Sequence, residues 1–141
     1  MQDLNINIPP PNEPFNKELF EFLYSFVTEE RKQRINDVID QRTDYLTVVL
    51  EDLYQPHNAS AVIRSCDCFG VQSMHVIENL HEFTVSKRVV HGSSKWVDLY
   101  QFNEKQNNTV NALNSLKSQG YRIVATSPHE KGITVLSLIH I

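Results

Sequence analysis

The sequence predicts an α/β domain built on a parallel sheet, preceded by a helical extension. Three observations carry this prediction. Residues 47–70 read as strand, polar loop, helix and stop, and a second apolar strand, Ser73-Met74-His75-Val76-Ile77, follows at once. A helix of about 12 residues between two strands makes a βαβ unit, whose strands run parallel. Further on, a strictly alternating segment (97–102), a second amphipathic helix (107–119) and another β-rich run (121–125) extend the pattern. The order β-α-β-loop-β-α-β predicts a sheet covered on both faces.

Composition sets the outer bounds. With 141 residues, 40% of them hydrophobic and 21% charged, the chain is globular and fits one ordinary domain plus an extension, with a modest core. A formal net charge of −4 and an isoelectric point near 5.8 argue against wholesale nucleic-acid binding, which leaves a basic footprint. Any RNA contact therefore rests on local patches. The two cysteines, Cys66 and Cys68, lie two residues apart on one predicted helix. They point about 200° apart, which suits neither a mutual disulfide nor a shared metal, so no metal site is expected. Neither a secretory signal nor an apolar run of membrane-spanning length occurs, so the expected compartment is the cytoplasm, with no membrane partner.

Taken in order, residues 1–14 hold Pro9, Pro10, Pro11 and Pro14 and form a flexible arm. Phe15, Leu19, Phe22 and Phe26 then recur at helical spacing, a stripe that needs a partner in the next helix or the domain body. Thr28 caps a second helix, with Glu29 and Glu30 in its first turn and Ile35, Val38 and Ile39 as its apolar face. Arg31, Lys32, Arg34 and Arg42 balance Glu29, Glu30, Asp37 and Asp40 there, so a solvated face with internal charge pairs competes with an RNA-gripping one. These segments divide the chain into the arm (1–14), a helical extension (15–44) and the sheet domain (45–141).

In the sheet domain, Thr47 to Leu50 is a buried strand and Leu53 to His57 a loop. Asn58 reads as the N-cap of a helix whose residues Ala59, Val62, Ile63, Cys66 and Phe69 face inward, and Gly70 ends it. Arg64 lies roughly 9 Å along the axis from Asn58, and about 20° around the helix from His57. A guanidinium and a helix N-terminus both favour anions, but spacing alone favours a capping residue and a surface arginine. Residues 78–96 form a polar loop, with a short helical turn as an option, that contains Lys87, Arg88 and Lys95 and no acid between Thr84 and Trp96. Gly92-Ser93-Ser94 there suits a phosphate or ribose contact, with an ordinary mobile loop as the alternative, and Trp96 is expected to pack beneath it.

The run Leu50-Glu51-Asp52…Pro56-His57-Asn58-Ala59-Ser60-Ala61-Val62-Ile63-Arg64-Ser65-Cys66-Asp67…Gly70-Val71 resembles the first motif of the TrmH/SpoU family, S-adenosylmethionine-dependent RNA 2′-O-methyltransferases of the SPOUT class. His91-Gly92-Ser93-Ser94-Lys95-Trp96-Val97 is similar to a Gly-Gly-x-His-Lys-Trp-like segment of the tRNA guanosine-2′-O-methyltransferase branch. The resemblance covers residues 28 to about 130. It implies a SPOUT-like, Rossmann-like parallel sheet, with Arg64 as the catalytic arginine and Asn58 as its motif partner. It also implies RNA contacts from His57, Arg31, Lys32, Arg34, Arg42, Lys87, Arg88 and Lys95. Glu51 is a lesser candidate for orienting Arg64. The substrate implied is tRNA, most simply a D-loop guanosine, and the implied methyl donor is S-adenosylmethionine.

Residues 132–141 do not resemble the family. Its two later motifs, which build the C-terminal trefoil knot that holds the donor, do not occur, and Gly120 and Gly132 are isolated. The expectation is therefore a chain with the RNA-facing half of the site, no cofactor-binding residues, no knot, and a doubtful family homodimer. Two function classes remain: a tRNA 2′-O-methyltransferase in its intact form, or an inactive fragment that binds RNA weakly. A small-molecule α/β domain would need a phosphate loop, and the glycine-poor loop after the first strand supplies none.

Overall fold

The computed structural model describes residues 16–90, 92–104 and 106–126. The proline-rich arm, Phe15, His91 and the apolar tail from Gly132 onward lie outside the described residues.

Two helices lead. α1 spans Lys17–Tyr24, with the Asn16 side chain accepting from the Leu19 N–H at its start. α2 spans Glu29–Asp40 and is capped by Thr28, as its sequence predicts. The stripe on α1 does not find the expected core. No residue of α1 is buried, and Phe22 and Phe26, which meet edge to face, are 61% and 73% exposed. Among the described residues, no partner covers it.

The sheet follows. β1 is Val48–Glu51, α3 is Pro56–Cys68, β2 is Ser73–Ile77, and α4 is the single turn Lys87–Val90. A 3-10 turn over Ser93–Lys95 leads to β3, Asp98–Phe102, and α5 spans Asn108–Ser118. The strands lie in the order β1-β2-β3, and both pairings are parallel, as the βαβ reading requires. His75 stands opposite Val49 on one side and Tyr100 on the other.

β2 is the centre, with Met74, His75, Val76 and Ile77 all buried. Successive side chains of a strand alternate between faces. Met74 and Val76, with Leu99 of β3, face α3 and meet Ala59, Ile63 and Cys66. Phe83, Val90 and Val97 close this cluster, which anchors the 78–96 loop against α3. On the opposite face, His75 and Ile77 lie under α5, whose Ala112 and Leu116 are buried. The sheet is therefore covered on both faces, as expected. Each fully buried aliphatic side chain here contributes about 1.5–3 kcal/mol of transfer free energy.

The expected strand at 121–125 does not form. An open cleft of about 580 Å³ is lined by Asp44, Tyr45, Leu46 and Thr47 ahead of β1 and by Gln119, Gly120, Tyr121, Arg122 and Val124 after α5. The Tyr121 hydroxyl donates to the Asp44 carbonyl at 2.6 Å and holds the segment to the start of β1 without a ladder. β-propensity without a paired neighbour does not make a strand.

Candidate functional site

α3 begins earlier than its sequence suggests. The N-cap is Gln55, without a side-chain cap bond, and Pro56 is the first helical residue. Proline suits that position, because its fixed φ is already helical and its missing N–H is one the helix leaves unbonded. His57 and Asn58 are thus inside the first turn, and Asn58 is not the N-cap. Both are exposed, and no acid shares the turn. Parallel strands deliver this turn to the carboxyl ends of the sheet, the edge where open α/β sheets bind ligands.

The burial of α3 divides it into two faces. Ala59, Ser60, Ile63 and Cys66 are buried, whereas His57, Ala61, Arg64, Ser65 and Cys68 are exposed and follow one another at helical spacing. Phe69, expected to face inward, is 82% exposed because the helix has already ended at its C-cap there. The two cysteines fall on opposite sides, as predicted, and both are free. Burial pushes the Cys66 thiol pKa above its ordinary value. The Arg64 guanidinium makes no hydrogen bond or ion pair to any other described residue.

Glu51 does not orient Arg64. It follows Leu50, which packs toward α3, so its side chain points to the opposite face. There it accepts from the Thr109 hydroxyl at 2.5 Å and from the Asn79 side chain at 3.1 Å. Its neighbour Asp52, at φ 48°, accepts the N–H groups of Leu80 and Asn79, each at 2.8 Å. Those two bonds, Leu80 foremost, hold the Asp52 carboxyl below the usual carboxylate range. This network ties the loops after β1 and β2 together. An aspartate directly after a strand tolerates the left-handed conformation and is the one sequence signal for it. Asn108 and Ser60 left no such signal. Buried Asn108 donates to the carbonyls of Glu78 and Glu104, and buried Ser60 accepts from the Ser86 N–H at 2.7 Å.

The basic residues separate by environment. Arg31 and Arg34 are exposed on α2. Lys32 pairs with Glu29 at 2.6 Å and lies over the Tyr24 ring. Arg42 does not face solvent: its guanidinium, 7% exposed, pairs with Asp67, donates to the Val71 carbonyl and lies over Trp96. Lys87 opens α4, and Arg88 and Lys95 are exposed on α4 and the 3-10 turn. Both of those elements pack against α3, the helix that carries Arg64. Trp96 is only partly beneath the loop. It is 37% exposed and lines an open cleft of about 620 Å³ against α2.

No helix of the described residues is long and apolar enough to cross a membrane, and none of their His, Cys, Asp or Glu side chains cluster to hold a metal ion.

Residues 45–139 match the model of the SpoU rRNA Methylase family. The chain belongs to this family. A tRNA (guanosine(18)-2′-O)-methyltransferase of Borreliella burgdorferi is 45% identical over 116 residues, 82% of this chain and 51% of that protein. The enzyme of the same name from Thermus thermophilus is 35% identical over 103 residues, 73% of this chain and 51% of the relative. The crystal structure of the A. aeolicus TrmH/SpoU tRNA modifying enzyme superposes with a TM-score of 0.60 at 30% identity, covering 72% of this chain and 51% of that one. The chain thus spans about half the length of the relatives it matches.

Proposed function

We propose that this chain supplies the RNA-facing part of a cytoplasmic methyltransferase that modifies a tRNA ribose 2′-hydroxyl, on a D-loop guanosine. Membership of the SpoU family and relatives named for guanosine-18 methylation support the reading. The observation that carries it is the exposed face of α3, where Arg64 stands without a described partner, two turns from His57 and Asn58.

A ribose hydroxyl is a poor nucleophile and must lose its proton as it attacks. Arg64 does not take that proton, because a guanidinium stays charged below about pH 12. Its role is to orient the hydroxyl and to stabilise the charge that develops on the oxygen. Asn58 positions the ribose or Arg64, and His57 contacts the RNA beside it. Arg31, Arg34, Arg88 and Lys95 hold phosphates, with Lys87 and Lys32 nearby in sequence. Arg42 acts from inside by fixing Trp96 and the end of α3.

The family donor is S-adenosylmethionine, which supplies an electrophilic methyl group when bound. The described residues do not fit it. The side chains Glu51, Asp52, Asn79 and Thr109 at the sheet's carboxyl edge already bond to one another. That observation favours a second reading for the 141 residues alone, an RNA-binding piece without transferase activity.

One experiment separates the two. The 141-residue chain and the protein isolated at full length from its own cells are assayed for methyl transfer to tRNA. In whichever form is active, Arg64→Ala is expected to lower transfer by about 10²–10³-fold while tRNA affinity changes little. Transfer at the unsubstituted rate in Arg64→Ala would remove Arg64 from the reaction. Salt-dependent tRNA binding without transfer in either form would leave the second reading.

A further inference from the structure

The cleft between α2 and Trp96 stands apart from the residues assigned to the ribose. Ile35 and Val38 make its apolar side, the Trp96 indole forms the opposite wall, and Arg31 and Arg34 sit at its margin. Arg42 holds the indole from one side, with its guanidinium 5.9 Å from the ring centroid. Because Arg42 is itself fixed by Asp67 and the Val71 carbonyl, the ring is held in place with more than a third of its surface open. Two acids also line the cleft: Asp67, whose charge is matched by Arg42, and Glu30, which leaves the Arg31 and Arg34 pair with a single positive charge in excess. Arg31 and Arg34 pair with no acid among the described residues, and they stand three apart on one helix, so they project as neighbours. The volume, about 620 Å³, lies within the range of small-ligand sites.

A fixed indole beside an apolar wall, with two unpaired guanidinium groups at the rim, matches a planar base joined to phosphodiesters. We propose that this cleft takes one unpaired nucleotide of RNA, its base stacked on Trp96 and its flanking phosphates held by Arg31 and Arg34. A duplex cannot enter, because its bases are already stacked on their neighbours. The inference rests on the RNA reading above and adds the form of RNA that α2 receives.

Trp96 is the only tryptophan in the sequence, so its emission reports on this cleft alone. The 141-residue chain is titrated with a short single-stranded oligoadenylate and with an RNA duplex of equal phosphate number. The single strand is expected to quench the emission saturably and the duplex not to. Arg31→Ala with Arg34→Ala, both exposed and so compatible with folding, is expected to weaken the single strand about tenfold or more and to flatten its salt dependence. Absence of quenching, equal quenching by the duplex, or no effect of the double substitution would each overturn the proposal. A tRNA gel shift run alongside separates the two readings. A shift without a Trp96 response overturns the cleft alone. Neither shift nor response removes the RNA reading with it.

Discussion

His75 sits on the central strand with its Nδ1 buried and without a hydrogen-bond partner among the described residues. It is accommodated as a ring, stacked on Tyr100 at 4.9 Å and tilted against Phe102. Burial pushes its pKa below the ordinary imidazole value. The unfolded chain therefore binds this proton more readily than the folded one. The contribution of His75 to stability is fully present above the unfolded pKa, near 6.5, and is lost as pH falls below it toward the folded value. Thermal unfolding followed from about pH 8 to about pH 5 is expected to show a falling midpoint across the imidazole range, and His75→Phe is expected to flatten that fall. An equal fall in the variant would place the sensitivity elsewhere. Single-residue roles were legible only where they followed from position along one element. His57 and Arg64 share a face because they are seven residues apart on a helix. Arg42 read as a surface cation because nothing in its own segment announces Asp67, 25 residues further on. The partner of Glu51 is hidden for the same reason, since Thr109 is 58 residues away.

At the scale of the element, α3 ends in a complete Schellman motif. The Val71 N–H donates to the Cys66 carbonyl at 2.8 Å, the Gly70 N–H donates to Asp67 at 3.2 Å, and Gly70 adopts φ 71°. α5 ends in the same way at Gly120, φ 92°. The two glycines are not equivalent. A Cβ at Gly70 would meet the Gln41 carbonyl oxygen at 2.5 Å, whereas one at Gly120 meets nothing within 4 Å. Gly120→Ala is expected to cost about 1 kcal/mol of backbone strain, and Gly70→Ala about 3 kcal/mol or more, because α2's end must also move. Urea unfolding measures both, and equal losses would mean that the Gln41 contact yields freely. The sequence marks both stops, because glycine after an apolar-periodic run has few other uses. It hides the start of α3, because the same Pro56 that opens a helix also reads as a loop former.

For the molecule as a whole, order is graded. β2 is buried on both faces, while α1 is an eight-residue helix with no buried side chain among the described contacts. Helices that short are marginal without tertiary support. Amide exchange is expected to be slowest on β2 and within about tenfold of the unfolded rate on α1, whose strong protection would reveal a cover for its apolar face. The layered α/β plan was readable because strand and helix periods alternate along the chain. The fourth strand was not, because 121–125 carries the right residues but whether they pair depends on the space beside β1. The parallel order of β1, β2 and β3 also sets when each pairing can begin. No two neighbouring strands are joined by a hairpin, so none can zip from a turn. β2 can meet β1 only after the chain through α3 has doubled back, which makes the crossover helix the step that gates assembly. Until then the Met74-His75-Val76-Ile77 run remains unpaired, and a nascent chain is most prone to aggregate in that interval.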